Sequence, residues 1–222
     1  MKTIKLTEDT RKDILDRLLK RSPDNYSEYE KTVADIITDV RTNGDRAVFS
    51  YTKKFDQWES HADNIRVTQA EIEEAVESID RSFLAVMKKS AANIRAFHQK
   101  QLRNSWIDTK PDGCILGQRI LPLSVSGVYV PGGKAAYPSS VLMNVIPAKV
   151  AGVKKIVMTT PAGADGKVNP GTLAAASIAG VDEIYKVGGA QAIAAMAFGT
   201  ESIPKVDKIT GPGNIRVELA KQ

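Results

Sequence analysis

The second half of the chain repeats one pattern four times: a short apolar run, a glycine-containing corner and an apolar stretch with helical periodicity. The apolar runs predict strands over residues 125–130, 155–160, 183–187 and 206–210. Four strand–helix units in succession imply crossovers between parallel strands, and such crossovers are right-handed because the strands themselves have a right-handed twist. The sequence therefore predicts a parallel sheet covered by helices.

The glycines of this half fall into two groups. Gly152, Gly180 and Gly199 each follow the last residue of a predicted helix, where a left-handed φ favours glycine, so their role is structural. The second group follows the carboxyl ends of the strands and comprises Gly132, Gly133, Gly163, Gly188, Gly189, Gly211 and Gly213. Ligands bind at this edge of an open α/β sheet. Repeated bare corners there predict close approach of a phosphate or ribose to the helix N-termini.

The usual phosphate motifs are absent from these corners. The sequence contains no G-x-x-x-x-G-K-[ST], and the first strand is not followed by G-x-G-x-x-G. The second strand ends on Thr159 and Thr160 where the common dinucleotide fingerprint has an acidic residue. A dinucleotide would therefore bind by another route, and weakly.

The first half differs in composition. Residues 1–112 carry 20 Lys/Arg and 20 Asp/Glu, whereas residues 113–222 carry 11 and 6 and contain 15 of the 16 glycines. We predict an α/β fold in which a mostly helical region, 1–112, precedes an incomplete Rossmann-like parallel sheet, 113–222, with helices on both faces. The second region would be the nucleotide-binding unit.

Local signals in the first half mark individual helices. One helix shows an apolar face at Val33, Ile36, Ile37 and Val40 and stops at Gly44; a shorter one follows. Thr68 with Glu71 three residues later forms a capping-box pattern, and a long helix is predicted over roughly 81–101. Alternation over 103–122 predicts one or two short extended pieces around a turn at 112–113.

Composition excludes several classes of protein. No apolar run approaches the roughly 20 residues that a membrane span needs. The N-terminus shows no export signal, and the single cysteine, Cys114, fits a reducing compartment, so a cytoplasmic location is expected. The net charge of +5 comes from scattered lysines without interleaved aromatics, which argues against nucleic-acid binding.

Three stretches resemble one enzyme family. "SGVYVPGGKAAYPSSVLMN", "VGGAQAIAAMAFGTESIPKVDKITGPGN" and the weaker "TNGDRAVFSYTKKFD" are similar to the amino-terminal half of histidinol dehydrogenases. The resemblance implies an oxidoreductase of histidine biosynthesis that oxidises L-histidinol to L-histidine in two hydride transfers to NAD. It also implies zinc in the full-length enzyme and intertwined homodimers, with apolar surface exposed when half of the enzyme is missing.

The resemblance assigns the NAD contacts to Tyr129, Gln191 and Asn214. Each has a simpler alternative: strand packing for Tyr129, a surface polar residue for Gln191 and a helix N-cap for Asn214. The family commonly has an aromatic residue two positions after the asparagine, where this chain has Arg216.

No catalytic or metal-binding residue can be assigned in this chain. The family's zinc ligands and Glu–His pair lie beyond the equivalent of residue 222, and His61 and His98 are expected in a loop and on a helix surface. Because family members are about twice as long, we expect a truncated chain that is inactive alone. Two alternatives stay open: a non-catalytic nucleotide-binding or interaction module, and an α/β transferase that binds another phosphorylated ligand.

Overall fold

The computed structural model describes residues 5, 7–19, 26–132 and 137–222. The elements that precede the large sheet are α1 (Glu8–Leu19), α2 (Ser27–Asn43), α3 (Asp45–Asp56), α4 (Gln69–Ser78), α5 (Arg81–Gln99), β1 (Trp106–Thr109) and β2 (Ile115–Gln118). Those that follow are β3 (Val125–Tyr129), α6 (Pro138–Val150), β4 (Lys155–Thr160), α7 (Pro170–Ala179), β5 (Glu183–Lys186), α8 (Gly189–Phe198), β6 (Lys208–Thr210) and α9 (Ile215–Lys221).

The four later strands form one parallel sheet in the order β5-β4-β3-β6. Val128 of β3 pairs with Met158 of β4 on one side and with Thr210 of β6 on the other. The predicted parallel sheet is confirmed, and all four strands end at the same edge. Strand β6 is shorter than predicted because the Val206 N–H is used by the Met196 carbonyl, 2.9 Å away, instead of by a strand.

Helices cover both faces of this sheet, as predicted. Alternate strand residues enter opposite cores: Val128 and Met158 pack with α4 to α7, whereas Tyr129 and Val157 pack with α2, α3, α8 and α9. Helices α2 to α5 of the first half form outer layers over helices that belong to the sheet. Each core therefore contains residues from both halves of the chain, and the division into units at residue 112 stays a prediction.

Several local predictions are confirmed. The Thr68 side chain accepts the Glu71 N–H at 3.2 Å, and the Glu71 carboxylate accepts the Thr68 N–H at 2.8 Å, which completes the capping box. Helix α2 ends at Asn43, directly before Gly44. The three helix-terminal glycines, Gly152, Gly180 and Gly199, all have left-handed φ values, of 88°, 84° and 79°.

Strands β1 and β2 form an antiparallel hairpin across the predicted turn. The two-stranded sheet lies outside both cores, and all of its strand residues are exposed. An isolated hairpin is at best marginally stable in water, and this one exposes apolar residues such as Ile107 and Ile115. Over the described ranges, no helix is both long and apolar enough to cross a membrane.

Candidate functional site

A cleft of about 1080 Å³ opens at the edge where the parallel strands end. Its walls come from the segments after β3, β4 and β6, from the starts of α6, α8 and α9, from the middle of α2 and from the end of α3. Ligand pockets are typically about 300–1000 Å³, so this cleft has room for a dinucleotide. The three residues assigned to NAD by resemblance, Tyr129, Gln191 and Asn214, all line it.

Tyr129 is the last residue of β3, and it is 4% exposed. Its phenolic oxygen accepts a hydrogen bond of 3.2 Å from the backbone N–H of Gly189, at the start of α8. Burial raises the pKa of the Tyr129 phenol, with the Gly189 N–H opposing this and the Asp56 carboxylate adding to it. The phenol therefore stays protonated at neutral pH, with its O–H available as a donor at the wall of the cleft.

Gln191 lies in the first turn of α8 and is 1% exposed. Neither its side-chain oxygen nor its nitrogen has a hydrogen-bond partner among the described residues. A buried amide without partners is destabilising, because it loses its bonds to water and gains none in return. The alternative of a surface polar residue is therefore wrong for Gln191, and its amide without partners among the described residues fits a ligand that binds in the cleft.

Asn214 has the capping role that was one of its two predicted readings. Its side-chain oxygen accepts the N–H groups of Arg216 and Val217, at 3.0 and 3.2 Å, and so caps α9. The asparagine also lines the cleft, and its amide N–H₂ group is not used by the cap. Capping and ligand contact are therefore compatible in this geometry.

Sequence reasoning missed a fourth polar residue, Asp56. It is the last residue of α3, lines the cleft beside Tyr129, and one carboxylate oxygen, Oδ2, is buried without a partner among the described residues. Burial raises its pKa to about 6, and the backbone N–H of Gly188, which favours the ionised form, opposes the rise. The motif "TKKFD" was noted in the sequence, but nothing in it shows that α3 ends over the sheet edge.

Close packing within the protein accounts for at least two of the bare corners. A Cβ atom added at Gly188 would lie 2.7 Å from the Pro161 side chain, and one added at Gly211 would overlap the carbonyl oxygen of Tyr129. Glycine is required at these two positions because adjacent loops pack closely against each other, and the close approach of a phosphate or ribose stays a prediction. The cleft and its polar groups, and not the glycine count, indicate the site. Gly133 lies outside the described residues.

Comparisons with a family model, with curated sequences and with solved structures all point to the same family. The sequence model described as histidinol dehydrogenase matches residues 19–222. The chain is 58% identical over 205 residues to the histidinol dehydrogenase of Bacillus subtilis and 50% identical over 210 residues to that of Lactococcus lactis. The crystal structure of histidinol dehydrogenase from Elizabethkingia anophelis superposes with a TM-score of 0.82 at 41% identity, covering 86% of this chain.

The chain belongs to the histidinol dehydrogenase family. The two sequence matches span 92% and 95% of this chain but only 48% and 49% of the relatives. The structural match spans 44% of the E. anophelis chain. The expectation that histidinol dehydrogenases are about twice as long is confirmed.

Arg216 and the two histidines, which the sequence analysis singled out, have defined positions relative to the cleft. Arg216 lines the cleft and places its guanidinium 4.9 Å from the ring centre of Tyr29. Neither histidine lines the cleft: His61 lies in the segment after α3, and His98 lies on α5, with Nδ1 2.6 Å from the Gln101 side-chain oxygen. In the described part of the chain, no three His, Cys, Asp or Glu side chains cluster in a way that could hold a metal ion.

Proposed function

We propose that the cleft binds NAD and that Tyr129, Gln191 and Asn214 contact it. One observation carries the proposal: Gln191 keeps an amide buried and without partners among the described residues, in the same cleft as Tyr129 and Asn214. The cleft lies at the carboxyl edge of a parallel sheet, where nucleotides bind in such folds. The Tyr129 hydroxyl and the Asn214 amide would complete the set of donors.

As a member of the histidinol dehydrogenase family, the chain would take part in the NAD-dependent oxidation of L-histidinol to L-histidine. NAD supplies the hydride acceptor for both steps when bound. The residues of this chain would position it: the Gln191 amide from α8 and the Asn214 amide from the start of α9 reach the cleft from two helices that pack against each other. A proton acceptor for the alcohol is a separate requirement, and neither histidine of the chain lies at the cleft.

No zinc-binding role is proposed for the described residues of this chain. The family uses zinc, but the described residues offer no ligand cluster, and the single cysteine is exposed on the hairpin turn. We therefore propose that zinc and the acid–base groups act from residues outside this sequence.

Binding can be tested by titrating the ¹⁵N-labelled chain with NAD and following amide shifts, in parallel with a Gln191→Met variant. We expect wild-type shifts near Gly189 and Asn214, and their loss in the variant. Met fills a similar volume without polar atoms, so the unliganded variant should be as stable as wild type or more stable. Gln69→Met, at an exposed position, is the control and should bind normally. Normal NAD binding by Gln191→Met would contradict the proposal.

The catalytic part of the proposal needs a separate assay. Histidinol-dependent NADH formation would be measured for this chain alone and after mixing with a polypeptide matching the other half of the B. subtilis relative. We expect activity only in the mixture. NAD binding without activity in the mixture would favour the non-catalytic nucleotide-binding module.

We further propose that the chain forms a homodimer through the β1–β2 hairpin. Ile107 is 78% exposed and Ile115 is 67% exposed, and the strand pairing places both on one face. A second copy covering this face would remove the apolar surface from water. Light scattering should give a dimer for wild type and a monomer for Ile107→Lys, with Asn104→Lys as the exposed control. A dimeric Ile107→Lys variant would overturn this interface.

A further inference from the structure

Asp56 has features of a ligand-binding residue that family resemblance does not assign. It closes α3, a helix of the outer layer, and lines the cleft. Its Oδ2 atom is buried without a partner in the described residues. A buried carboxylate oxygen without a hydrogen-bond partner destabilises the unliganded protein. Ionisable groups in such environments concentrate at functional sites.

The position of Asp56 relative to the sheet indicates what it would bind. Its carboxylate faces the backbone N–H of Gly188, which favours the ionised form, and Gly188 packs against Pro161, directly after β4. In dinucleotide folds, an acidic residue at the end of the second strand binds a ribose hydroxyl. Strand β4 is the second strand of this sheet along the chain, and it ends on Thr160, which has no carboxylate. Asp56 brings a carboxylate to that region from a different element.

We propose that Asp56 accepts a hydrogen bond from the 2′-hydroxyl of the adenine-side ribose and thereby selects NAD over NADP. This inference rests on the proposed function. A carboxylate is an acceptor only, so it suits a hydroxyl donor and repels the phosphate that NADP carries at the same position.

The charges around the cleft are compatible with this role. Asp56 is the one acid among the described residues that line it, and the cations there are Lys54 and Arg216. Both cations lie near aromatic rings, with Lys54 Nζ 5.4 Å from the ring centre of Phe55 and Arg216 over Tyr29. Because burial raises the pKa of Asp56 only to about 6, its carboxylate is mostly ionised at pH 7.5.

The test is calorimetric titration of the 222-residue chain with NAD and with NADP at pH 7.5. We expect wild type to bind NAD at least about tenfold more tightly than NADP, which is the size expected for a charged hydrogen bond. Asp56→Asn, a nearly isosteric change, should weaken NAD binding about tenfold while NADP binding stays equal or improves. Asp56→Ser should change the ratio in the same direction, and Glu77→Gln, at an exposed acid on α4, should leave it unchanged.

Each other outcome overturns the inference. Equal weakening of both dinucleotides in Asp56→Asn would mean that Asp56 only supports the Gly188 loop. Equal affinity of wild type for NAD and NADP would exclude the selection whether or not the variants fold. NAD binding that is lost in Gln191→Met but unchanged in Asp56→Asn would leave the proposed function standing and remove Asp56 from it. Binding of neither dinucleotide by wild type would end both proposals.

Discussion

The Tyr129 hydroxyl and the Gly189 backbone N–H are joined by a hydrogen bond of 3.2 Å that links the end of β3 to the start of α8. Helix α8 follows strand β5, and β5 is not a neighbour of β3 because β4 lies between the two strands. The bond therefore spans the cleft floor above β4. It fixes the α8 N-terminus, which carries Gln191, relative to the strand that carries Tyr129.

Tyr129→Phe should test this link. The change removes the phenolic oxygen and keeps the ring, so we expect the free energy of unfolding to fall by about 1 kcal/mol. NAD binding should weaken several-fold, because the variant loses both the donor and the anchor of α8. Urea unfolding and NAD titration measure the two effects.

Tyr185→Phe is the matched control for Tyr129→Phe. Tyr185 is equally buried, and its hydroxyl donates to Glu183 at 3.2 Å, away from the cleft. It should show a comparable loss of stability with unchanged NAD affinity. Weakened NAD binding in both variants would mean that general destabilisation, and not the Tyr129 contact, explains the result.

The raised pKa of Asp56 makes stability depend on pH. Burial raises this pKa from 3.8 to about 6, so the folded state binds the proton more tightly than the unfolded state. The stability that protonated Asp56 contributes is therefore fully present below about pH 4 and is lost as the pH rises through 6. Asp56→Asn removes this dependence, and we expect the variant to gain stability relative to wild type between pH 4.5 and pH 7.5. Urea unfolding at the two pH values measures it, and an unchanged difference would contradict the raised pKa.

Two glycines with left-handed φ should respond differently to substitution. Gly211 has φ of 113° and no room for a Cβ because of the Tyr129 carbonyl, whereas Gly113 has φ of 84° and open space around it. Gly113→Ala should cost about 1 kcal/mol from backbone strain alone. Gly211→Ala adds a clash with backbone and should cost about 3 kcal/mol or more. Thermal unfolding of both variants distinguishes them, and equal losses would mean that the β6 corner relaxes freely.

The fold could be predicted from the sequence because its signals are local. Strand β4 has the predicted bounds, residues 155–160, and ends directly before Pro161. Once the strands are parallel, their carboxyl ends must share an edge, so residues that follow different strands, such as Gln191 and Asn214, are expected at one cleft. Their convergence needed no knowledge of long-range packing.

The contribution of Asp56 could not be predicted, because it depends on packing between distant parts of the chain and not on a local signal. It depends on where an outer helix ends over the sheet, and the apolar periodicity of α3 fixes only which face is buried. The tight packing behind Gly188 is similarly invisible, because it depends on Pro161 of the neighbouring loop. The sequence shows which positions lack a side chain without showing what occupies the space.

The final prediction concerns the ion pair between Lys186 and Glu71, which attaches the first half of the chain to the sheet. The Lys186 side chain is 8% exposed and pairs with Glu71 of the α4 capping box, with its Nζ 5.6 Å from the ring centre of Trp58. Burial alone would raise the pKa of Glu71, but hydrogen bonds from Lys186 and Thr68 together lower it. Glu71→Gln preserves the capping pattern and leaves the lysine charge buried without its carboxylate. We expect a loss of about 2 kcal/mol in urea unfolding.

Glu74→Gln is the comparison for Glu71→Gln on the same helix. Glu74 pairs with Lys167 at 3.6 Å, and both side chains are about 70% exposed, so its loss should stay below about 0.5 kcal/mol. Added salt should reduce the Glu74 effect further, while the Glu71 effect persists because the buried pair is screened less. If the two variants lose equally little, Lys186 must find water or another acceptor when Glu71 is neutral, and the pair does not hold α4 to β5.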